Sequence, residues 1–142
     1  MATYYSTELA GLYSTPVVKP QGASGYSSRL RRYRGTITLN TQTTSDTIII
    51  GQIPAGEDFA YGVLTSTVSL GSSTIAIGIS GTTGKYRAAA TFTATDTPTL
   101  FGTTAQVAAL ALTAEEQIFI TIGTASLPAS GTLVVDLYFS RP

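Results

Sequence analysis

The sequence has no cysteine, no histidine and no tryptophan, and a single methionine in 142 residues. Without cysteine there are no disulfide frameworks, thiolate zinc sites or thiol nucleophiles, and the redox compartment is left open because both environments tolerate a cysteine-free chain. Without histidine there is no imidazole general base, no Ser-His-Asp relay and no His-ligated metal. A chain of this length can bury a core without staples, so one domain with an appendage is expected. Long apolar runs are missing too. Ile48-Ile49-Ile50 is typical of what there is, against the roughly 20 apolar residues that span a bilayer, so no membrane partner is expected. The opening Met1-Ala2-Thr3-Tyr4-Tyr5 lacks the basic start and apolar run of a secretory signal. A soluble protein made in a cytoplasm is the expectation.

Charge is scarce, at 11% of residues, whereas threonine occurs 25 times beside 14 glycines and one asparagine. This is a strand-and-turn composition. Threonine is stiff at χ1 and suits a half-buried pleated surface, where its hydroxyl faces water or bonds across strands. A weakly charged exterior also leaves neutral surface for contact with other subunits.

The few charges are unevenly placed. Lys19, Arg29, Arg31, Arg32 and Arg34 stand against Glu8 in the first 34 residues, a formal +4, and Lys85, Arg87 and Arg141 stand against seven acids in the rest, a formal −4. A charge split between two parts of a chain points to a charged partner rather than a catalytic pocket. Residues 1–34 lack sustained periodicity and contain Pro16, Pro20 and the Gln21-Gly22-Ala23-Ser24-Gly25 cluster, which reads as an extended arm. A short helical turn over residues 7–12, capped by Ser6 or Thr7, has little room between Gly11 and Pro16. The arm holds Tyr4, Tyr5, Tyr13, Tyr26 and Tyr33, five of the eight tyrosines. Tyrosine interleaved with arginine is the chemistry of contact surfaces, since each ring buries large area and keeps a polar tip.

From Gly35 to residue 142, period-2 patterning recurs between turn signals about every ten residues, the pattern of short antiparallel strands in a sandwich or barrel. Seven or eight strands are expected. Residues 36–39 and 47–50 are short ones, and residues 59–70 form a longer one with a break at Gly62. Residues 74–80 send Ile75, Ile77 and Ile79 to one face and Ala76 and Gly78 to the other, and Gly81-Thr82-Thr83-Gly84 is a hairpin loop before a strand over 85–95. Pro98 restricts the next strand to an edge or a bend. Residues 105–112 suit either a short helix or a strand, and the flanking threonine pairs favour the strand. Residues 117–123 alternate Ile118, Ile120 and Ile122, and the last strand places Leu133, Val135, Leu137 and Phe139 on one face. With no long amphipathic helix in the series, the expected fold is all-β, an antiparallel eight-stranded jelly roll or a related Greek-key sandwich carrying an extended N-terminal arm. An immunoglobulin-like sandwich stays open, although its Trp and Cys pair are missing.

Few constellations could carry chemistry. Gly78-Ile79-Ser80-Gly81-Thr82-Thr83-Gly84-Lys85 resembles a phosphate loop, but Ile79 stands where glycine is needed, Tyr86 where Ser or Thr is needed, and a strand follows instead of a helix. A hairpin fits better. Glu57-Asp58 and Glu115-Glu116 are the only adjacent acid pairs, and a glycosidase would need two carboxylates about 5–10 Å apart across a cleft. Each pair lies beside a turn, where solvated acids are usual. Asp46, Asp58 and Asp96 do not form a closely spaced calcium loop, so neither a cofactor nor a metal is expected. The sharpest feature is Arg29-Leu30-Arg31-Arg32-Tyr33-Arg34. If extended, it sends Arg29, Arg31 and Tyr33 to one side and Leu30, Arg32 and Arg34 to the other. Guanidinium forks bind carboxylates and phosphates alike, leaving three readings: a protein partner, a solvated strand lead-in paired with the body's own acids, and nucleic acid. The last is disfavoured because such domains usually have a basic fold as well as a basic arm.

Four stretches, Gly35-Thr36-Ile37-Thr38-Leu39, Ser69-Leu70-Gly71-Ser72-Ser73-Thr74-Ile75-Ala76-Ile77-Gly78-Ile79, Gly84-Lys85-Tyr86-Arg87-Ala88-Ala89-Ala90 and Leu127-Pro128-Ala129-Ser130-Gly131-Thr132-Leu133, together resemble small structural proteins of tailed bacteriophages, namely head decoration, or cement, proteins. The resemblance covers about residues 35–140. It implies a non-enzymatic virion protein on the capsid exterior, often a trimer, that binds the phage major capsid protein and bridges neighbouring shell subunits. It carries over no catalytic residue. The residues expected to contact the shell are Tyr4, Tyr5, Tyr13, Arg29, Arg31, Arg32, Tyr33 and Arg34. A tail or fibre component, or a carbohydrate-binding module using the sandwich loops, is the alternative, with Tyr61, Tyr86 and Tyr138 as its few aromatic candidates.

Overall fold

The computed structural model describes Ser6, residues 10–18 and residues 28–141, with Tyr13 described by its backbone alone. Eight strands follow one another: β1 (Arg29–Thr38), β2 (Thr47–Ile53), β3 (Asp58–Ser66), β4 (Thr74–Ile79), β5 (Thr82–Thr91), β6 (Thr99–Phe101), β7 (Glu116–Gly123) and β8 (Thr132–Arg141). They form two antiparallel four-stranded sheets in the orders β1-β8-β3-β6 and β2-β7-β4-β5. β4 pairs with β5, β3 with β6, β2 with β7 and β1 with β8. The chain is thus one long antiparallel hairpin wound over itself, and this strand order is the jelly roll expected from the period-2 pattern.

Alternation explains which faces meet. Ile118, Ile120 and Ile122 of β7, Ile75 and Ile77 of β4, and Leu133, Val135, Leu137 and Phe139 of β8 all lie in the space between the sheets, nearly or fully inaccessible to water. Burying each such side chain stabilises the fold by about 1.5–3 kcal/mol. Aromatic rings close one end of this core. Phe59 lies 4.7 Å from Tyr86 and 5.3 Å from Phe139, and Tyr33 meets Phe139 edge-on at 5.8 Å. Two buried serines are satisfied by backbone, Ser66 Oγ donating to the Val68 carbonyl and Ser73 Oγ to the Ser126 carbonyl, both at 2.6 Å.

Several boundaries differ from the sequence expectations. The basic stretch expected at the end of an arm is the first half of β1, because its backbone ladders onto β8 from Arg29↔Arg141 through Arg34↔Asp136. Gly62 does not break β3. The irregularity falls between Phe59 and Tyr61, and Gly62 instead seats the Phe101 ring, whose atoms stand 2.1–2.5 Å from where a Cβ would be. Residues 105–112 are not a strand. The one-turn helix α1 (Thr104–Val107) leads into irregular chain, since exposed alanines offer a strand no face to bury. β5 starts and ends earlier than 85–95, and β6 is the short edge strand that Pro98 permits. The expected turn near the N-terminus is a 3-10 turn at Gly11–Tyr13, to which Val18 returns through a 2.8 Å bond to the Gly11 carbonyl; Thr7 lies outside the described residues.

Candidate partner-binding site

β1 presents two faces of different character. Arg29, Arg31, Tyr33, Gly35 and Ile37 alternate onto the inner side, and Leu30, Arg32, Arg34, Thr36 and Thr38 onto the outer side. The sequence reading of Arg29 to Arg34 as an extended segment with this partition holds. Tyr33, however, is half-buried against Phe139, so part of its ring belongs to the core. Tyr4 and Tyr5 lie outside the described residues, as does the Tyr13 side chain.

On the outer face, Arg34 grips Asp136 directly opposite it on β8, with Nε to Oδ1 at 2.7 Å and a terminal nitrogen to Oδ2 at 2.6 Å. This bidentate geometry is the strong form of the pair. The Asp136 carboxyl is held below the usual carboxylate range, first by the hydrogen bond from Arg34 and then by the charges of Arg34 and Arg32, against the opposing effect of burial. Arg34 is raised by the same bond. Next along this face, Arg32 opposes Tyr138, and Tyr138 stacks on Tyr61 of β3 at 4.6 Å. Leu30 and Leu100, at 52% and 71% exposure, flank this row.

The inner side of β1 runs past the aromatic rings to the mouth of the sandwich. There Arg31 reaches Oε1 of Glu57 at 3.2 Å, and Arg141 stands 4.0 Å from the same oxygen. Glu57 is fully buried, and its other oxygen, Oε2, has no hydrogen-bond partner among the described residues. Gly56, with φ at +87°, makes the turn that swings Glu57 inward. The segment after α1 fastens onto this turn, Gly56 donating to the Leu112 carbonyl and Leu112 to the Glu57 carbonyl, both at 2.8 Å. Two residues earlier, Leu110 is 87% exposed. Asp58 turns to the opposite face beside Ser140, and burial pushes its carboxyl up.

Other candidate chemistry resolves into structure. The phosphate-loop look-alike is the β4–β5 hairpin, closed at Ile79↔Thr82. Glu115 accepts from Gln52. Glu116 pairs with Lys85 and accepts the Tyr86 hydroxyl at 2.6 Å, and the Tyr86 phenol is pushed far up, first by burial and then by that bond. The two acid pairs are therefore engaged by different partners. Tyr86 is fully buried and cannot be a platform for a glycan. Arg87 donates to the carbonyls of Ile75, Ala90 and Thr91, covering backbone acceptors released by the register shift between β4 and β5, and burial lowers its pKa. Asp46 closes its own turn through Thr43. Among the described residues no three acidic groups converge where a metal ion could sit.

Of the sequence-singled arginines, Arg31 and Arg34 thus bond the body's own acids, Arg32 lies beside Asp136, and Arg29 makes no ion pair among the described residues. Sequence reading did not single out Glu57 as their partner, Arg141 beside it, the exposed Leu110, or the Tyr61–Tyr138 stack. Only the pairing of the first strand with the last brings these together, and no local signal announces a ladder between residues more than a hundred positions apart.

The described domain is thus a jelly roll with a basic first strand, in which ion pairs tie Arg31, Arg34, Lys85 and Arg141 to Glu57, Asp136 and Glu116. No protein-family model matches the sequence, and no curated protein matches it. Three solved structures share the fold. A chain of the cyanophage Pam1 capsid asymmetric unit superposes with a TM-score of 0.67 at 18% identity, covering 91% of this chain and 96% of its own. A chain of the capsid of Ralstonia phage GP4 gives 0.62 at 16% identity over 88% and 91%. A chain of the acid-stable capsid of Helicobacter pylori bacteriophage KHP30 gives 0.60 at 10% identity over 81% and 90%.

Proposed function

We propose that this protein is a non-enzymatic component of a phage virion that sits on the outside of the capsid as a trimer, binds the major capsid protein through β1 and the residues before it, and strengthens the shell by bridging neighbouring subunits. The observation that carries the reading is the likeness to chains within three phage capsid structures, each matched over at least 90% of its own length. The counterparts are therefore small jelly rolls of about this size rather than fragments of larger shell proteins. The exposed mixture on and around β1, with Arg32 and Leu30 available on the face of the Tyr61–Tyr138 stack and Arg29 exposed on the other, supports a contact role, because aromatic and arginine side chains dominate protein interfaces.

The test is to strip native heads of the protein, add back the purified chain, and measure occupancy by sedimentation and position by cryo-EM. Density of this jelly roll over junctions between shell subunits is the expected result, together with heads that survive higher temperature when occupied. Density in the tail, or no binding to heads, overturns the reading.

A further inference from the structure

We propose that Arg29, Arg31 and Arg141, at the mouth of the sandwich, form a receptor for a pair of carboxylates on a partner protein, with Leu110 as the apolar anchor beside it. The inference deepens the capsid-binding reading and rests on it. It names the arginines that do the recognising and the chemistry they recognise.

Three features carry it. First, the mouth holds an excess of positive charge. Arg29 and Arg141 are directly opposite in the β1–β8 register, an arrangement that brings like charges to about 5 Å at Cβ and destabilises a sheet. Arg31 lies one step along the same face. Against these three cations the described residues of the mouth supply one carboxylate, Glu57, because Asp58 turns to the other face. Second, the guanidinium groups are not saturated. Each carries five N–H donors. Arg31 gives one hydrogen bond to Glu57, Arg141 approaches the same oxygen only at 4.0 Å, and Arg29 has no ion pair among the described residues. Arg34, with two charge-assisted bonds, and Arg87, with three carbonyls, are the contrasting cases in the same chain. Third, the apolar Leu110, the most exposed large hydrophobic side chain of those described, is two residues from Leu112, which is fastened to the Gly56–Glu57 turn. A cationic fork, with an exposed apolar side chain on the segment fastened to the same turn, matches the surface of a folded protein.

Among the described residues the surplus is two positive charges, which a pair of carboxylates on the occupant would match. Phosphate-bearing polymers fit less well, because a nucleic-acid footprint extends over a basic surface, whereas this chain has zero net charge and an acidic body. Glu57, buried beside Arg31 and Arg141, draws both towards one oxygen and offsets part of their mutual repulsion.

The experiment measures binding of the purified chain to stripped heads by co-sedimentation at low salt, for wild type, Arg29→Glu, the double variant Arg29→Glu/Arg141→Glu, and Leu110→Ala. Arg29→Glu is expected to weaken binding by about tenfold and the double variant by about a hundredfold, with a shallower salt dependence. Leu110→Ala is expected to weaken binding severalfold without changing the salt slope. Thermal melts should leave Arg29→Glu as stable as wild type or slightly more so, since a like-charge pair is removed, which keeps the test open even if the double variant folds poorly. Polyglutamate should displace the wild type from heads, and inorganic tripolyphosphate at equal charge should not. Binding of Arg29→Glu to heads within twofold of wild type overturns the proposal, as does displacement by tripolyphosphate alone. If the wild type does not bind heads, the capsid reading fails by itself, and calorimetry with polyglutamate decides the receptor separately: uptake lost in Arg29→Glu supports it, and no uptake by wild type overturns it.

Discussion

Asp136 is 7% exposed on the outward face of a sheet because Arg34 lies over it and takes both its oxygens. Its carboxyl is depressed below the ordinary value of about 3.9, so the stabilisation it provides is fully present above that ordinary value and is lost as pH falls through the lower folded one. Asp136→Asn is expected to lower the urea midpoint at pH 7, by less than a core truncation would, and the gap to wild type should narrow as pH falls below the ordinary carboxylate range and the wild-type carboxyl takes up its proton. A gap that persists unchanged at low pH would show the ion pair to be irrelevant. Asp58 has the opposite sign. Burial raises its carboxyl and Oδ1 has no hydrogen-bond partner among the described residues. The fold is therefore favoured while Asp58 is neutral, and that contribution is lost as pH rises through the raised folded value. Asp58→Asn should stabilise the protein at pH 7 by about 1 kcal/mol or less and change nothing at pH 3, read from urea melts at the two pH values. At this scale the sequence was informative about composition and poor about partners. The alternation of Arg29 to Arg34 was legible from spacing alone, but which arginine is held and which is open depends on where Glu57 arrives from the turn before β3 and Asp136 from β8.

The elements were legible where one face is dry. β7 and β8 carry clean alternation because every second residue enters the core, and their limits match the period-2 reading closely. β5 was harder, since two register shifts against β4 expose Ala88, Ala89 and Ala90 and break the alternation, and residues 105–112 were misread because apolar composition there reflects exposed chain instead of a buried face. Gly62 shows how a residue type can be noticed for the wrong reason. Glycine marks either a bend or a close approach, and here the close approach is the Phe101 ring of β6. β6 is three residues long and has no other large side chain turned inward, so Phe101 is what fixes it to β3. Phe101→Ala should cost about 2 kcal/mol, below the range for a fully buried ring because Phe101 is half-buried. Gly62→Val should cost a similar amount by displacing the ring. Combined, the two should cost clearly less than their sum, since once the ring is gone the added methyl groups have space. Additive losses in denaturant melts would mean that Gly62 serves its backbone conformation and not the ring.

At the scale of the whole molecule, the jelly roll encloses its core with strands from Arg29 onward, and among the described residues the buried cluster lies between Ile37 and Phe139. The described part of the preceding segment is instead a self-contained turn, in which Ser14 and Val18 both bond the Gly11 carbonyl and Leu12, Val17 and Val18 stay exposed at 39%, 69% and 56%. Three apolar side chains held at the surface by a local turn contribute little to the stability of the sandwich but offer area to a partner. Folding and docking should therefore separate cleanly. Deleting residues 1–27 is expected to leave the melting temperature of the sandwich within a few degrees of the full chain, because the β1–β8 ladder and the whole core remain. The same deletion is expected to lower occupancy on stripped heads by about tenfold or more, because Tyr4, Tyr5, Tyr13 and the apolar turn are lost together. The comparison with Arg29→Glu is then informative. Loss of the charged mouth should alter the salt dependence of binding, whereas loss of the tyrosine-rich segment should weaken binding equally at all salt concentrations. A deletion that unfolds the sandwich would make the segment part of the fold. A deletion that changes neither melting nor occupancy would confine docking to the sandwich surface, where the arginine mouth and the Tyr61–Tyr138 face are the remaining candidates.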